Sequence, residues 1–135
     1  MFGNSMGAGG AVMAGIGLIP SGLFKCGAKG GVYMFNVVGK GTYIGQSNNV
    51  FSRMWQHVNI HLIYGKGKFF GSKIEGKQYW LMPGSTKLER EVFEQYQIFK
   101  YKFDYKLLND VNPMGGRMNL YNEMIEDVLT KYNLQ

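Results

Sequence analysis

Two tyrosines set the chemical question. Tyr33 stands in Gly31-Val32-Tyr33, and Tyr43 stands in Tyr43-Ile44-Gly45, ten residues later. Arg53 and His57 follow four residues apart, which places them on one face of a helix. Glutamates cluster further on in LEREVFE, as Glu89, Glu91 and Glu94. A phenol, an imidazole, a guanidinium and a carboxylate could together move protons, hold an anion and carry a metal. The imidazole moves protons near neutrality, and the guanidinium forks onto phosphate oxygens. The carboxylate can carry a divalent ion. A tyrosine with an ordinary pKa near 10 is a poor base at neutral pH. Positive charge from Arg53, a lysine or a metal is expected to lower it.

The elements that must position these groups follow from pattern. Val32 to Val38 and Thr42 to Gln46 read as strands, rich in β-branched and aromatic residues. Gly39-Lys40-Gly41 reads as a three-residue hairpin loop with Gly41 in the left-handed position. That loop pairs Val37 with Tyr43 and puts Tyr33, Phe35, Val37 and Tyr43 on one face. A two-residue loop would separate the tyrosines. Asn48 or Asn49 caps a helix carrying Val50, Phe51, Met54, Trp55 and Val58, ending near His61. Gln78 to Met82 reads as a third strand, stopped by Pro83-Gly84. Thr86 and Glu89 form a capping box. The helix behind it carries Leu88, Val92, Tyr96, Phe99 and Phe103 on one stripe. NDVNPMGGR, residues 109–117, is a loop, and Met118 to Tyr132 a final helix. The order predicts an α+β domain over 30–135, a small three-stranded antiparallel sheet flanked by helices. Residues 1–29 form a glycine-rich apolar leader. Its apolar run is too short to span a bilayer, and it lacks the basic start of a secretory signal.

Charge points to the partner. Of 135 residues, the first 74 hold seven Lys/Arg and no Asp or Glu; all nine acids begin at Glu75. A uniformly positive half suits a polyanion. Lys40, Lys66, Lys68 and Lys73 are the candidate contacts to a DNA backbone. Those between Tyr64 and Lys77 are interleaved with Phe69 and Phe70. The single cysteine, Cys26, excludes an internal disulfide and a cysteine zinc cluster. HVNIH, residues 57–61, lacks the glutamate of HExxH, and neither GAGGAV nor GKGKFFG fits a nucleotide-binding loop. With no acid before Glu75, a site with one metal is more natural than a two-metal clamp.

On these residues the chain resembles the GIY-YIG nuclease family over about Gly30 to Gly116. Gly31-Val32-Tyr33 differs from the family motif by valine for isoleucine. Tyr43-Ile44-Gly45, Arg53 and His57 follow in the family's order, with a later glutamate and an asparagine. Helical periodicity leaves Glu89 and Glu91 flanking the stripe, and Glu94 facing solvent. Matching to the family selects Glu91 as metal ligand and Asn112 as the asparagine. The resemblance implies a Mg²⁺- or Mn²⁺-dependent endonuclease acting on DNA, with one ion per site. Tyr33 would act on the attacking water, Tyr43 would support it, and Arg53 would hold the phosphate. His57 would orient a tyrosine or the water. Gly31 and Gly45 would leave room for backbone or DNA. The leader resembles stretches preceding bacterial toxin domains. That implies delivery into a target cell, a cytoplasmic site of action and a cognate immunity protein. The rival readings are a non-catalytic nucleic-acid-binding module and a membrane-active protein acting through residues 1–30.

Overall fold

The computed structural model describes residues 29–64, 69 and 71–134, without the side chains of 58–64. The leader, apart from Lys29, and Lys66 and Lys68 lie outside the described residues. The elements run β1 (Gly31–Val37), β2 (Gly41–Ser47), α1 (Val50–Tyr64), β3 (Ile74–Leu81), α2 (Lys87–Tyr101) and α3 (Met118–Lys131). The three strands form one antiparallel sheet in the order β2-β1-β3. This is the α+β class that the pattern predicts. No helix among the described residues is long and apolar enough to cross a membrane.

The apolar run in β1 makes it the central strand. Gly31 to Phe35 are all buried, so both faces of the strand are covered. Side chains alternate along it. Val32 and Met34 join Ile44, Trp80, Val92, Phe93 and Leu129 in a core roofed by α2 and α3. Tyr33, Phe35 and Val37 face the other way, with Tyr79, Phe69, and Val50 and Met54 of α1. Burying a side chain of this size contributes about 1.5–3 kcal/mol, so both layers hold the sheet. Gly31 is needed here because a Cβ at that position would overlap the Trp80 carbonyl of β3.

The hairpin register differs from the expected one by two residues. Phe35 pairs with Tyr43 and Val37 with Gly41. The loop is Val38-Gly39-Lys40, closed by the Lys40 amide donating to the Val37 carbonyl at 2.9 Å. Gly39, at φ 81°, is left-handed within the loop, and Gly41, at φ 150°, also keeps a positive φ. A slip of two residues preserves the faces, because the side-chain period is two. Tyr33, Phe35, Val37 and Tyr43 still share one side.

Three other boundaries move. Helix α1 starts where Asn49 accepts the Ser52 amide at 3.1 Å, and runs to Tyr64 rather than His61. Trp55 lies 54% exposed, off the apolar face. Strand β3 begins four residues earlier than expected, at Ile74. Phe103, expected on the stripe of α2, lies past the helix end and is 86% exposed.

The outer edge of β2 is covered by the segment after α2. The Thr42 amide donates to the Lys106 carbonyl, and the Leu108 amide donates to the Thr42 carbonyl, both at 2.8 Å. This parallel bridge ends at Asn109, whose side-chain amide donates to the Ile44 carbonyl at 2.6 Å and accepts the Ile44 amide at 3.1 Å. An edge that would offer unpaired groups is thereby closed.

Candidate active site

Tyr33 reaches across the β1 face to α1. Its hydroxyl lies 2.9 Å from Nε2 of His57. With Nε2 unprotonated, the phenol is the donor. The His57 ring sits in an aromatic box, 5.4 to 5.6 Å from the rings of Tyr33, Phe35, Tyr43 and Phe69. Gly45 makes this arrangement fit. It pairs with Tyr33 across the sheet, and a Cβ there would overlap the phenol oxygen and ring. The space that Gly45 leaves is therefore filled by Tyr33 itself rather than by backbone or DNA.

Tyr43 joins the box to an open cleft of about 190 Å³ at the β2 edge. The cleft is lined by Tyr43, Glu94, Asn109, Asp110, Val111 and Pro113. Arg53 stands one helical turn before His57 and is exposed, and its guanidinium makes no hydrogen bond or ion pair among the described residues. Its charge is close enough to favour ionisation of both tyrosines. Burial nevertheless dominates and raises both phenols above their ordinary value, with the Tyr43 phenol and the carboxyl of Glu94 adding to it for Tyr33. For Tyr43, Glu94 and Asp110 act in the same direction. The expected lowering by positive charge is thus outweighed, and at neutral pH both tyrosines are phenols.

The glutamate in the cleft is Glu94, not Glu91, and the exposed Asp110 lines the same cleft. Glu91 pairs with Arg117 at 3.2 Å, and the same guanidinium donates to the Pro113 carbonyl. That contact ties α2 to the start of α3 and away from the cleft. Glu89 keeps its place in the capping box and also accepts from Lys131 and Tyr132. Glu94 is half-buried, and no described side chain hydrogen bonds or pairs with its carboxyl. Burial first, and then the charge of Glu91, push that carboxyl up to about 8. The solvent-facing placement fails because α2 is covered on more than one side. Arg90, Gln95 and Gln97 are buried beside Val92, Phe93 and Ile98. Arg90 donates to Gln46 of β2 at 2.9 Å, so the side bearing Arg90 and, one turn on, Glu94 lies along the sheet edge. Polar residues that are buried hide from an apolar stripe.

Asn112 is likewise outside the cleft lining. It is exposed and accepts from the buried amide of Gln95 at 3.2 Å. The asparagine in the cleft is Asn109, three residues earlier in the same loop. Nothing in the composition of NDVNP separates the two. Lys40 and Lys73 are exposed and flank the hairpin tip, where the Val38 amide donates to the Lys73 carbonyl at 2.9 Å.

Among the described residues no group of three or more His, Cys, Asp or Glu side chains could hold a metal. One desolvated carboxylate is still a suitable donor for a hard cation that keeps most of its waters and takes substrate oxygens. A cation at Glu94 would offset the desolvation that raises its pKa. The residues present therefore fit a single ion. Comparison with family models, curated proteins and solved structures gives no match.

Proposed function

We propose that the protein is a divalent-metal-dependent endonuclease of GIY-YIG type, hydrolysing phosphodiester bonds in DNA. The observation that carries this reading is the cluster of Tyr33, Tyr43 and His57, with Arg53 one helical turn away, beside a cleft lined by Tyr43 and the Glu94 carboxyl.

Each group has a task on this reading. Arg53, exposed and uncommitted, holds a phosphate oxygen and stabilises charge that develops in the transition state. The Tyr33 phenol and His57 share a proton position at 2.9 Å. That pair can take a proton from an attacking water without a free tyrosinate, whose formation burial opposes. Tyr43 fixes the His57 ring from the cleft side. Asn109 holds the β2 edge and hence the cleft wall. Glu94 would hold the ion, which supplies Lewis acidity at the phosphate.

The test is incubation of the purified chain with plasmid DNA in Mg²⁺ and in EDTA. Metal-dependent cleavage should be lost in Tyr33→Phe, Arg53→Ala and Glu94→Gln, and retained in Glu91→Gln. DNA binding without cleavage by the wild type would sink the enzyme reading and leave a binding module. Liposome leakage that survives those substitutions would favour the membrane-active reading.

A further inference from the structure

The segment that closes the β2 edge has a second feature. It leaves α2 as YKFDYK, residues 101–106, and carries the most exposed aromatic residue among the described large hydrophobics, Phe103. Tyr105 is 49% exposed. Lys102 sets its ammonium 5.0 Å from the centroid of the Phe103 ring. The Lys106 carbonyl bonds Thr42, which brings Lys106 to the hairpin tip beside Lys40 and Lys73. Lys40, Lys73, Lys102 and Lys106 are all exposed, and none is held in an ion pair among the described residues. Glu75 and Asp104 are the acids nearest in the chain, so the patch keeps a net positive charge.

We propose that the hairpin tip and residues 102–106 form a docking surface for a single-stranded segment of the nucleic-acid substrate. The inference rests on the nuclease reading for what lies at the cleft, and adds the form of substrate. Tyr43 of the cleft is three to four residues from Lys40 and Gly39 at the tip, or ~10–13 Å at about 3.3 Å per residue. A strand whose scissile phosphate sits at the cleft thus has its neighbouring phosphates beside Lys40, Lys106 and Lys73. An exposed ring beside the Lys102 ammonium is a platform on which an unstacked base can stack, and every base has the π-face it needs. An intact duplex presents phosphates to lysines but no free base face to Phe103, so the aromatic part of the surface selects unpaired nucleic acid. Lys102 over the ring adds cationic charge next to the stacked base.

The experiment is fluorescence anisotropy of the full chain in EDTA, with a labelled 15-nucleotide DNA strand and with its blunt duplex, over a salt series. The single strand should bind more tightly than the duplex. Phe103→Ala should weaken strand binding roughly tenfold and leave duplex binding unchanged. Removing Lys40, Lys73 and Lys106 together should reduce the salt slope for the strand by about 2. Phe103 is on the surface, so a matching melting temperature checks that its variant is folded. Duplex binding as tight as strand binding, or Phe103→Ala affinity within twofold of wild type, would overturn the proposal and leave the patch for a protein partner. Cleavage is scored separately in Mg²⁺. Phe103-dependent strand binding without any cleavage would remove the nuclease reading and keep this surface; cleavage with Phe103-independent binding would do the reverse.

Discussion

Glu94→Gln exchanges an ionisable group for a neutral one of the same shape, and its effects on stability and on cleavage should have opposite signs. In the metal-free fold the Glu94 carboxyl is pushed up to about 8, by burial and then by Glu91. In the unfolded chain it ionises near its ordinary value. As pH rises, the unfolded state therefore releases this proton first. Folded wild type is not penalised at pH 4, loses stability steadily from about 4.5 to 8, and loses no more beyond that. The loss is about 1.4 kcal/mol per pH unit within that window, which comes to roughly 3 kcal/mol by pH 7. Glutamine does not titrate. The variant should match wild type at pH 4 and exceed it by up to ~3 kcal/mol at pH 7, or on the order of 10 °C in Tm. Urea unfolding in EDTA from pH 4 to 8.5 can be followed by the fluorescence of Trp80, which is 6% exposed. Cleavage by the same variant in Mg²⁺ should fall by a factor on the order of 10²–10³. Parallel stability profiles for the two proteins across that pH range would refute the claim that Glu94 is a desolvated carboxyl. Undiminished cleavage would refute its place in the site.

Four further outcomes are expected. Gly45→Ala should destabilise by about 1–3 kcal/mol and abolish cleavage, because the new methyl displaces the Tyr33 phenol from His57; thermal melts and plasmid nicking read both. Asn109→Ala frees the Ile44 amide and carbonyl and should cost about 1–3 kcal/mol with loss of cleavage. Asn112→Ala, which removes only the acceptor of Gln95, should cost about 1 kcal/mol and keep cleavage. Glu89 behaves opposite to Glu94. Desolvation would raise its carboxyl, but hydrogen bonds from Lys131, the Thr86 amide and Tyr132 outweigh that and hold it at about 2. Its contribution is present above pH 4.5 and lost as pH falls towards 2. Solvent screening limits the effect to about 1 kcal/mol, so Glu89→Gln should flatten the acid limb of the stability profile by that amount.

The architecture was legible because it rests on alternation and on local punctuation. The capping box of Thr86 and Glu89 and the cap at Asn49, one of the two asparagines expected there, follow from residues near in sequence. The loop misread at Gly39 did no harm to the faces, since a two-residue slip returns every side chain to its own side. The site was legible up to His57 for the same reason: Tyr33, Tyr43, Arg53 and His57 sit on a hairpin and the helix that follows it. Beyond that point the reading depended on α2, and the apolar stripe misplaced its faces.

That failure has a physical cause in the sheet edge. Strand β2 is an edge strand, and α2 lies along it with Arg90 on Gln46 and Glu94 near the cleft. An edge is where polar side chains are buried against backbone and against one another, so hydropathy gives no warning of it. The same edge receives Lys106 and Asn109 from a segment that looks like an ordinary linker. The groups that periodicity lost, Glu94 and Asn109, are therefore the ones assembled by long-range packing at a single edge. A carboxyl kept there without a cation weakens the fold over the pH range 4.5 to 8. On the proposed reading, a bound ion removes that penalty, so Mg²⁺ should stabilise wild type at pH 7 and leave Glu94→Gln unmoved. Equal stabilisation of both proteins by Mg²⁺ would place the ion elsewhere.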